Sequence, residues 1–464
     1  MTKFVKKKQA IVNLDFALSI ILASIVTITF SGFNRPIWGD EYLHFSLAGL
    51  PWSEIFQVIQ ETNSNENHGQ TWFHQILSIS LLKIFGAGTI GLRLISWIAT
   101  FVTLIASLNL LKLFSVTWAL KLAFLSTVIL FTPIAFEMGN SRSYILVIMS
   151  TALISLGLFS TIPLGRAKTL YKLVFAAGVV IGSVSHPYFP VILCALVFGA
   201  IIVNQHISKE SVTWTLRKLR FFMVFSILGV FLSVVVGLFT WLRGGPEFPE
   251  FDPFQWLPIG EQVFVFSTIM FIALAVVSSF LFFKARHPVF KARHPVFSDP
   301  VFAVGYILII TGIGLSLFFS WVSFIRNYWI LPRQWLPGVL IFFIGGIILL
   351  AFFVPKFKAK KSTSLLTPIG YAASIAVFVS GIFVGIQEVN RNVEFWVDLT
   401  SQSLIYTTGK GIAFFEAAGN LNIQCGGPVW PEHSKIYNAK VTDELLIFEF
   451  EKRYSMCSNK IIDN

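Results

Sequence analysis

Charged residues are scarce in this chain of 464 residues. They make up 12% of the sequence, against about 25% in soluble proteins, while 55% of the residues are hydrophobic and the mean hydropathy is +0.74. A chain with so few charges cannot cover itself with a water-facing surface. The composition therefore excludes an ordinary soluble domain and predicts an all-α polytopic membrane protein.

Acidic residues are fewer than basic ones, which gives a net charge of +12. The basic residues fall in short clusters between apolar runs. This pattern is typical of topology signals in membrane proteins and not of a phosphate-binding face. Nucleic acid is thereby excluded as a partner, and membrane lipids are expected instead.

A cleavage site is absent after the first apolar run. Four lysines between Met1 and Lys8 precede the apolar stretch from Phe16 to Phe30, as in a signal peptide, but no small-residue cleavage site follows. The run is therefore predicted to remain attached as the first membrane span, residues 14–33.

Cysteine is also rare, with three residues in the whole chain. Cys194 lies within an apolar run and is predicted to be a small buried residue. Cys425 and Cys457 lie in the polar C-terminal part, where an oxidising compartment would join them in a disulfide. Two free thiols are the alternative.

Ten further apolar runs are predicted to cross the membrane. The short segment 71–85, which carries His74, Gln75 and Lys83, is instead predicted to lie along the outer interface as an amphipathic helix. Counting it as a span would invert the topology of everything after it. After the first span, the predicted spans are residues 92–113, 119–137, 143–160, 173–185, 188–204, 220–242, 263–283, 301–321, 335–354 and 366–387.

The distribution of basic residues supports this choice. With eleven spans, the inner loops hold 21 Lys and Arg residues, against seven in the outer segments before the C-terminal tail. The N-terminus is then predicted to lie on the cytoplasmic side of the cytoplasmic membrane, and the C-terminus on the outer side. Residues 1–387 form the predicted membrane domain. Residues 388–464 form a small extracytoplasmic α/β cap, in which the alternation over 444–451 predicts a strand.

Polar residues collect at the predicted outer ends of the spans. A lipid-anchored phosphate needs a cation to stabilise the departing charge, and an acceptor hydroxyl needs a carboxylate base. Asp40 fits the base, and Arg333 with Arg326 fits the phosphate clamp. Snorkelling to headgroups is the alternative for each arginine, and a hydrogen-bonded structural role is the alternative for each histidine. For Glu137 and Arg142, the alternative to a role in the site is an ion pair with each other across one helical turn. The remaining candidates are Arg142 for the phosphate, and His68, His186, Glu137 and Tyr42 for the acceptor or a metal.

Five short motifs in order resemble the GT-C superfamily of polyprenyl-phosphate-sugar-dependent glycosyltransferases. The resemblance is to bacterial relatives of protein O-mannosyltransferases and of the aminoarabinose transferase acting on lipid A. It extends over roughly residues 34–337. The motifs are Gly39-Asp-Glu-Tyr42, Asn67-His68 with Leu82-Lys-Ile-Phe-Gly86, Gly91-Leu-Arg-Leu94, Ser141-Arg-Ser-Tyr144 and Leu331-Pro-Arg-Gln-Trp-Leu-Pro337.

The resemblance implies a GT-C-like bundle with an extracytoplasmic active site. It implies inverting transfer of a sugar from a polyprenyl phosphate to an acceptor hydroxyl on a glycan, lipid or protein. By similarity, Asp40 would be the catalytic base, Glu41 would hold the acceptor or a metal, and Arg333 would contact the donor phosphate. Participation of a divalent cation is an additional alternative. His68-Gly-Gln-Thr71 departs from the Pro-Pro-Leu of many relatives, so acceptor contacts there do not carry over.

Two other functions are alternatives on the residues alone. A transporter or flippase for a lipid-linked glycan would also need arginines at the outer face, but it predicts charged or broken helices near the midplane. A polymerase or ligase that uses a lipid diphosphate donor needs the same phosphate clamp and base.

Overall fold

The structure, a computed structural model, describes residues 2–32, 44, 48, 51–56, 72–85, 89–164, 168–208, 212–241, 299–326, 334–357 and 366–399. Every regular element within these ranges is a helix, as the apolar sequence predicts. The predicted span 263–283, the predicted strand 444–451, and Cys425 and Cys457 lie outside the described residues.

The helices follow one another with short connections wherever successive residues are described. In chain order they are α1 (Thr2–Thr29), α2 (Trp72–Phe85), α3 (Thr89–Leu113), α4 (Trp118–Leu130), α5 (Thr132–Glu137), α6 (Ser143–Phe159), α7 (Thr161–Leu164), α8 (Thr169–Ser185), α9 (Phe189–Ser208), α10 (Val212–Lys218), α11 (Arg220–Trp241), α12 (Pro300–Arg326), α13 (Leu336–Phe357) and α14 (Leu366–Leu399).

Five segments of the described chain are long and apolar enough to cross a membrane. Eighteen helical residues extend about 27 Å, close to the thickness of the hydrocarbon core. Each of the five coincides with a predicted span, which confirms the helical membrane character of the chain. They are Ile90–Leu113, Ser143–Leu164, Arg220–Gly237, Pro300–Phe319 and Leu336–Phe353.

The predicted span 119–137 is not one helix but two. α4 ends at Leu130, and Phe131 leaves the helical conformation with φ −80° and ψ 86° before α5 begins at Thr132. Pro133 explains the break, because it has no backbone N–H with which to continue the hydrogen-bond ladder of α4. As a result, Glu137 lies at the end of a separate short helix.

Helix α2 agrees with the expectation that residues 71–85 do not form a span. Its 14 residues extend only about 21 Å. It packs along α3, with His74, Gln75 and Ser78 buried, while Lys83 and Phe85 are exposed near its end.

One end of the bundle, which we call the polar end, joins the end of α1 to the start of α3. The Arg93 guanidinium donates a hydrogen bond to the carbonyl of Gly32, and Trp97 Nε1 donates to the carbonyl of Ser31 at 2.7 Å. These bonds satisfy the backbone carbonyls of the two residues, Ser31 and Gly32, that lie just after α1.

The opposite end, the lysine end, is held by one carboxylate between two ammonium groups. Asp15 of α1 lies 2.9 Å from Lys112 of α3 and 2.9 Å from Lys121 of α4. Lys121 is 2% exposed and its ammonium lies 4.2 Å from the ring centroid of Trp118. Because an unpaired charge there would be costly to bury, Asp15 fixes three helices together.

Cys194 was predicted to be buried, and this is wrong. It lies exposed on the outer face of α9, beside an apolar groove of about 650 Å³ between α9 and α11. A thiol is small and apolar enough to face such a surface, so hydropathy alone does not distinguish this position from a core position.

Helices α12 and α13 form the most extensive helix pair of the described part. Their backbones approach closely where glycines face each other. A Cβ atom added at Gly345 would lie 2.8 Å from the carbonyl oxygen of Gly305 and 2.8 Å from the backbone nitrogen of Ile309. A Cβ added at the neighbouring Gly346 would meet nothing within 4 Å.

We predict that Gly345→Ala destabilises the protein by about 1–3 kcal/mol, because the added methyl group would push α12 and α13 apart. Gly346→Ala is the matched control, and it should be neutral or stabilising by up to about 1 kcal/mol, since alanine favours the helix. Thermal unfolding of the two variants in detergent measures the difference. Equal midpoints would contradict the close approach.

Candidate functional site

Three of the predicted site residues lie within the described part together with their side chains: Glu137, Arg142 and His186. Arg326 is the last residue of α12. The other predicted site residues, Asp40, Glu41, Tyr42, His68 and Arg333, lie outside the described residues.

The loop between α5 and α6 is held by hydroxyl groups of neighbouring helices. Ser96 of α3 donates a hydrogen bond to the carbonyl of Asn140, and Thr100, one turn further on, donates to the carbonyl of Met138 at 3.5 Å. Ser78 of α2 and Ser141 share a hydrogen bond of 3.2 Å. α3 therefore holds the backbone of this loop at the polar end, and α2 holds one of its side chains.

Glu137 and Arg142 stand on either side of this loop and are both buried. Glu137 is 1% exposed and Arg142 is 6% exposed. Glu137 ends α5, and Arg142 is extended, with φ −135° and ψ 150°, and precedes α6, so the two residues do not lie on one helical turn. Burial of a carboxylate and a guanidinium in an apolar bundle is costly, which makes this loop a candidate site.

A second polar segment, the turn between α8 and α9, packs against the start of α6. His186 caps the end of α8 in an extended conformation, and its ring lies 5.3 Å from that of Tyr144 and 4.0 Å from that of Tyr188. Glu137 is close enough to Tyr188 to interact with it electrostatically. The two segments thus form one cluster, called here the polar cluster: Glu137, Arg142, Tyr144, His186 and Tyr188.

The turn that carries His186 is set by close packing inside the hairpin of α8 and α9. The ring of Phe189 lies over Gly182, where an added Cβ would be 2.2 Å from the ring. The His186 N–H donates to the carbonyl of Gly182 at 3.4 Å, and the Phe189 N–H donates to the carbonyl of His186 at 3.1 Å. Glycine at position 182 therefore allows the turn to close.

The imidazole of His186 is neutral at physiological pH. Its burial lowers its pKa from 6.5 to about 3. Nδ1 accepts a hydrogen bond from the N–H of Tyr188 at 3.5 Å, which assigns the proton to Nε2. Nε2 and the buried hydroxyl of Tyr188 have no hydrogen-bond partner among the described residues. Both can therefore donate to an oxygen atom of a ligand.

Sequence reasoning missed the hydroxyls that position this cluster. Ser96 and Thr100 look like ordinary polar residues on an apolar helix, and only their spacing of four, which places them on one face, signals a shared role. His74 of α2, buried beside His44, was also not singled out as a site residue. Within the described ranges, no group of three or more His, Cys, Asp or Glu residues is placed to hold a metal ion.

The pKa of His186 predicts a pH dependence of stability. Above pH 6.5 the imidazole is neutral in both the folded and the unfolded chain. As the pH falls from 6.5 towards about 3, the unfolded chain binds a proton that the folded chain does not, so the folded state loses stability, at most by about 1.4 kcal/mol per pH unit.

We expect His186→Phe, which keeps a ring between the two tyrosines, to show a smaller loss of thermal stability than the wild type between pH 7 and pH 4. Unfolding midpoints in detergent at matched ionic strength measure this difference. The same pH dependence in both proteins would contradict a neutral, buried His186.

Comparison with known proteins does not assign the chain to a family. No family model matches the chain, and no curated protein or solved structure matches it either. The function must therefore be argued from the chemistry of the polar cluster and from the resemblance of its motifs.

Proposed function

We propose that this chain is an integral membrane glycosyltransferase that moves a sugar from a polyprenyl-phosphate donor to the hydroxyl of a glycan, lipid or protein. In this reaction the acceptor oxygen bonds to the anomeric carbon, and the bond from that carbon to the phosphate oxygen breaks. The hydroxyl proton passes to a carboxylate, and the phosphate leaves as an anion on the lipid.

The observation that carries the proposal is the burial of a carboxylate, a guanidinium and a neutral imidazole in one cluster at one end of an apolar bundle. These are the groups that such a transfer uses: a base or acceptor contact, a phosphate contact and a hydroxyl contact. Ionisable residues buried at membrane depth are costly to keep and are by default candidates for function.

Arg142 is suited to the donor phosphate. It lies at the N-cap of α6, and no side chain caps this helix. The N–H groups of its first turn therefore add a positive partial charge beside the guanidinium. An anionic phosphate would meet both. Arg333, which the resemblance assigns to the donor phosphate, and Arg326, a candidate from the residues alone, complete the proposed clamp.

The acceptor hydroxyl is proposed to meet Glu137, His186 Nε2 and the hydroxyl of Tyr188. His186 and Tyr188 offer donors without partners among the described residues, and Glu137 offers an acceptor nearby. By resemblance, Asp40 takes the proton and Glu41 holds the acceptor or a metal. His68 and Tyr42 are further candidates for the acceptor or a metal from the residues alone.

The proposed topology has eleven spans, the N-terminus inside, and an extracytoplasmic cap from residue 388 to 464. In support, the contacts of the bundle separate a polar end from a lysine end. Lys172, near the start of α8, lies 5.5 Å from the ring centroid of Phe221, near the start of α11. Lys218, at the end of α10, donates a hydrogen bond of 3.0 Å to Asn204, near the end of α9. In the proposed topology these helix ends lie at the lysine end. Lysine-rich helix ends favour the cytoplasmic side.

The long apolar helices favour a transferase over a transporter. In α3, α6, α11, α12 and α13, every Asp, Glu, Lys, Arg and His lies within five residues of a helix end. A transporter or flippase would be expected to carry such groups near the midplane. A polymerase or ligase needs the same clamp and differs in its donor, which a choice of labelled lipids distinguishes.

We predict that Asp40→Asn lowers sugar transfer by about 100-fold or more, because the base for the acceptor proton is lost. The assay uses membranes that contain the full chain, with polyprenyl phosphate bearing radiolabelled mannose or aminoarabinose. Asp299→Asn is the control, since Asp299 caps the start of α12 through the N–H of Val301. Transfer by Asp40→Asn at wild-type rates would refute the assigned base.

For Arg142→Gln we expect weaker use of the donor, seen as a rise of at least about tenfold in the donor concentration for half-maximal rate. Arg93→Gln is the matched control, because Arg93 is equally buried at the polar end but bonds the backbone of Gly32. It should lower thermal stability and leave the donor dependence of the folded protein unchanged. If both variants shift the donor dependence alike, Arg142 does not contact the phosphate.

A further inference from the structure

Two histidines outside the polar cluster face each other in the interior. His44 is 2% exposed and His74 of α2 is fully buried, and their ring centroids are 5.2 Å apart with the ring planes at 59°. Neither ring is needed for the packing of α2, where leucine or phenylalanine would fill the same volume without a desolvation cost.

Both ring nitrogens of His74 lack a hydrogen-bond partner among the described residues. A buried imidazole in this condition has lost its hydration and has formed no hydrogen bond in exchange, which is unfavourable. A neutral imidazole with an unused nitrogen is the form that binds a metal ion.

The separation of the two rings fits one shared ion. With metal–nitrogen distances of about 2.1 Å and tetrahedral angles, two coordinated imidazoles have centroids roughly 5 Å apart. A coordinating histidine uses one nitrogen for the metal and leaves the other for a hydrogen bond, so His44 can coordinate and still keep a second contact.

The surroundings of the pair connect it to the loop of the polar cluster. Ser78 lies one turn after His74 on the same face of α2 and bonds Ser141, the residue before Arg142. Two neutral ligands leave the charge of a divalent ion uncompensated and its remaining positions open. Water, hydroxide or an anionic oxygen atom of a ligand would complete the coordination.

We propose that His44 and His74 bind one divalent transition-metal ion, and Zn²⁺ is among the ions that imidazole ligands suit. The ion joins α2 to His44, and its remaining coordination positions are open to water or to an oxygen atom of a ligand. This inference does not depend on the proposed transferase activity, since metal content can be measured without any substrate.

The test uses the full chain in detergent, purified through a tag that contains no histidine. The protein is treated with EDTA, passed through a desalting column, loaded with Zn²⁺ and desalted again before its zinc is measured by mass spectrometry. We expect about one Zn²⁺ per wild-type chain, and an affinity at least about tenfold weaker in His44→Gln and in His74→Gln.

The control is His206→Gln, in the last turn of α9, which should hold as much zinc as the wild type. Less than about a tenth of an equivalent in the wild type, or wild-type zinc in folded His74→Gln, would overturn the proposal. X-ray absorption of the zinc-loaded wild type gives a result that needs no variant to fold. Two imidazole ligands are expected, and a spectrum without imidazole scattering refutes the site.

Discussion

The hydrogen bonds from α3 to the carbonyls of Met138 and Asn140 are the interaction on which the polar end depends. In an apolar bundle no water satisfies the backbone of a loop, so a loop there needs protein donors. Ser96 and Thr100 supply them from successive turns of one helix. These bonds hold the chain between α5 and α6 against α3, and they help to fix the backbone between Glu137 and Arg142.

The same constraint separates the two ends of the bundle. At the lysine end, Asp15 neutralises part of the charge of two lysines and the helices meet through ion pairs. At the polar end, the helices meet through hydroxyls, carbonyls and aromatic rings, and His186 Nε2 and the Tyr188 hydroxyl have no hydrogen-bond partner among the described residues. One end is arranged for stability, and the other holds the groups that we propose to act on a ligand.

Much of the fold could be predicted from the sequence, because apolar length is a strong signal. Segments such as 143–160 and 301–321 are helices where hydropathy indicates them. Local chemistry limited the rest. The hydropathy of residues 119–137 is continuous across Pro133, so the sequence predicted one helix where α4 and α5 are separate. Hydropathy also does not distinguish the exposed position of Cys194 from a buried one.

The site could be predicted only in part. Glu137, Arg142 and His186 were found because ionisable residues between apolar runs stand out. Their grouping with Tyr144 and Tyr188 could not be found, since it depends on how α6 packs against the hairpin of α8 and α9. The pairing of His44 with His74 depends likewise on packing between segments that are distant in sequence. A single sequence contains no signal for such contacts.

The contact between the ring of Phe189 and Gly182 affects how sequence changes in this hairpin act on the site. His186 is anchored at both sides to that contact, through the carbonyl of Gly182 and the N–H of Phe189. The orientation of the imidazole thus depends on the packing of apolar side chains in the interior. Variation among apolar side chains in this hairpin can retune the chemistry of the polar cluster, even where every group that touches a ligand stays the same.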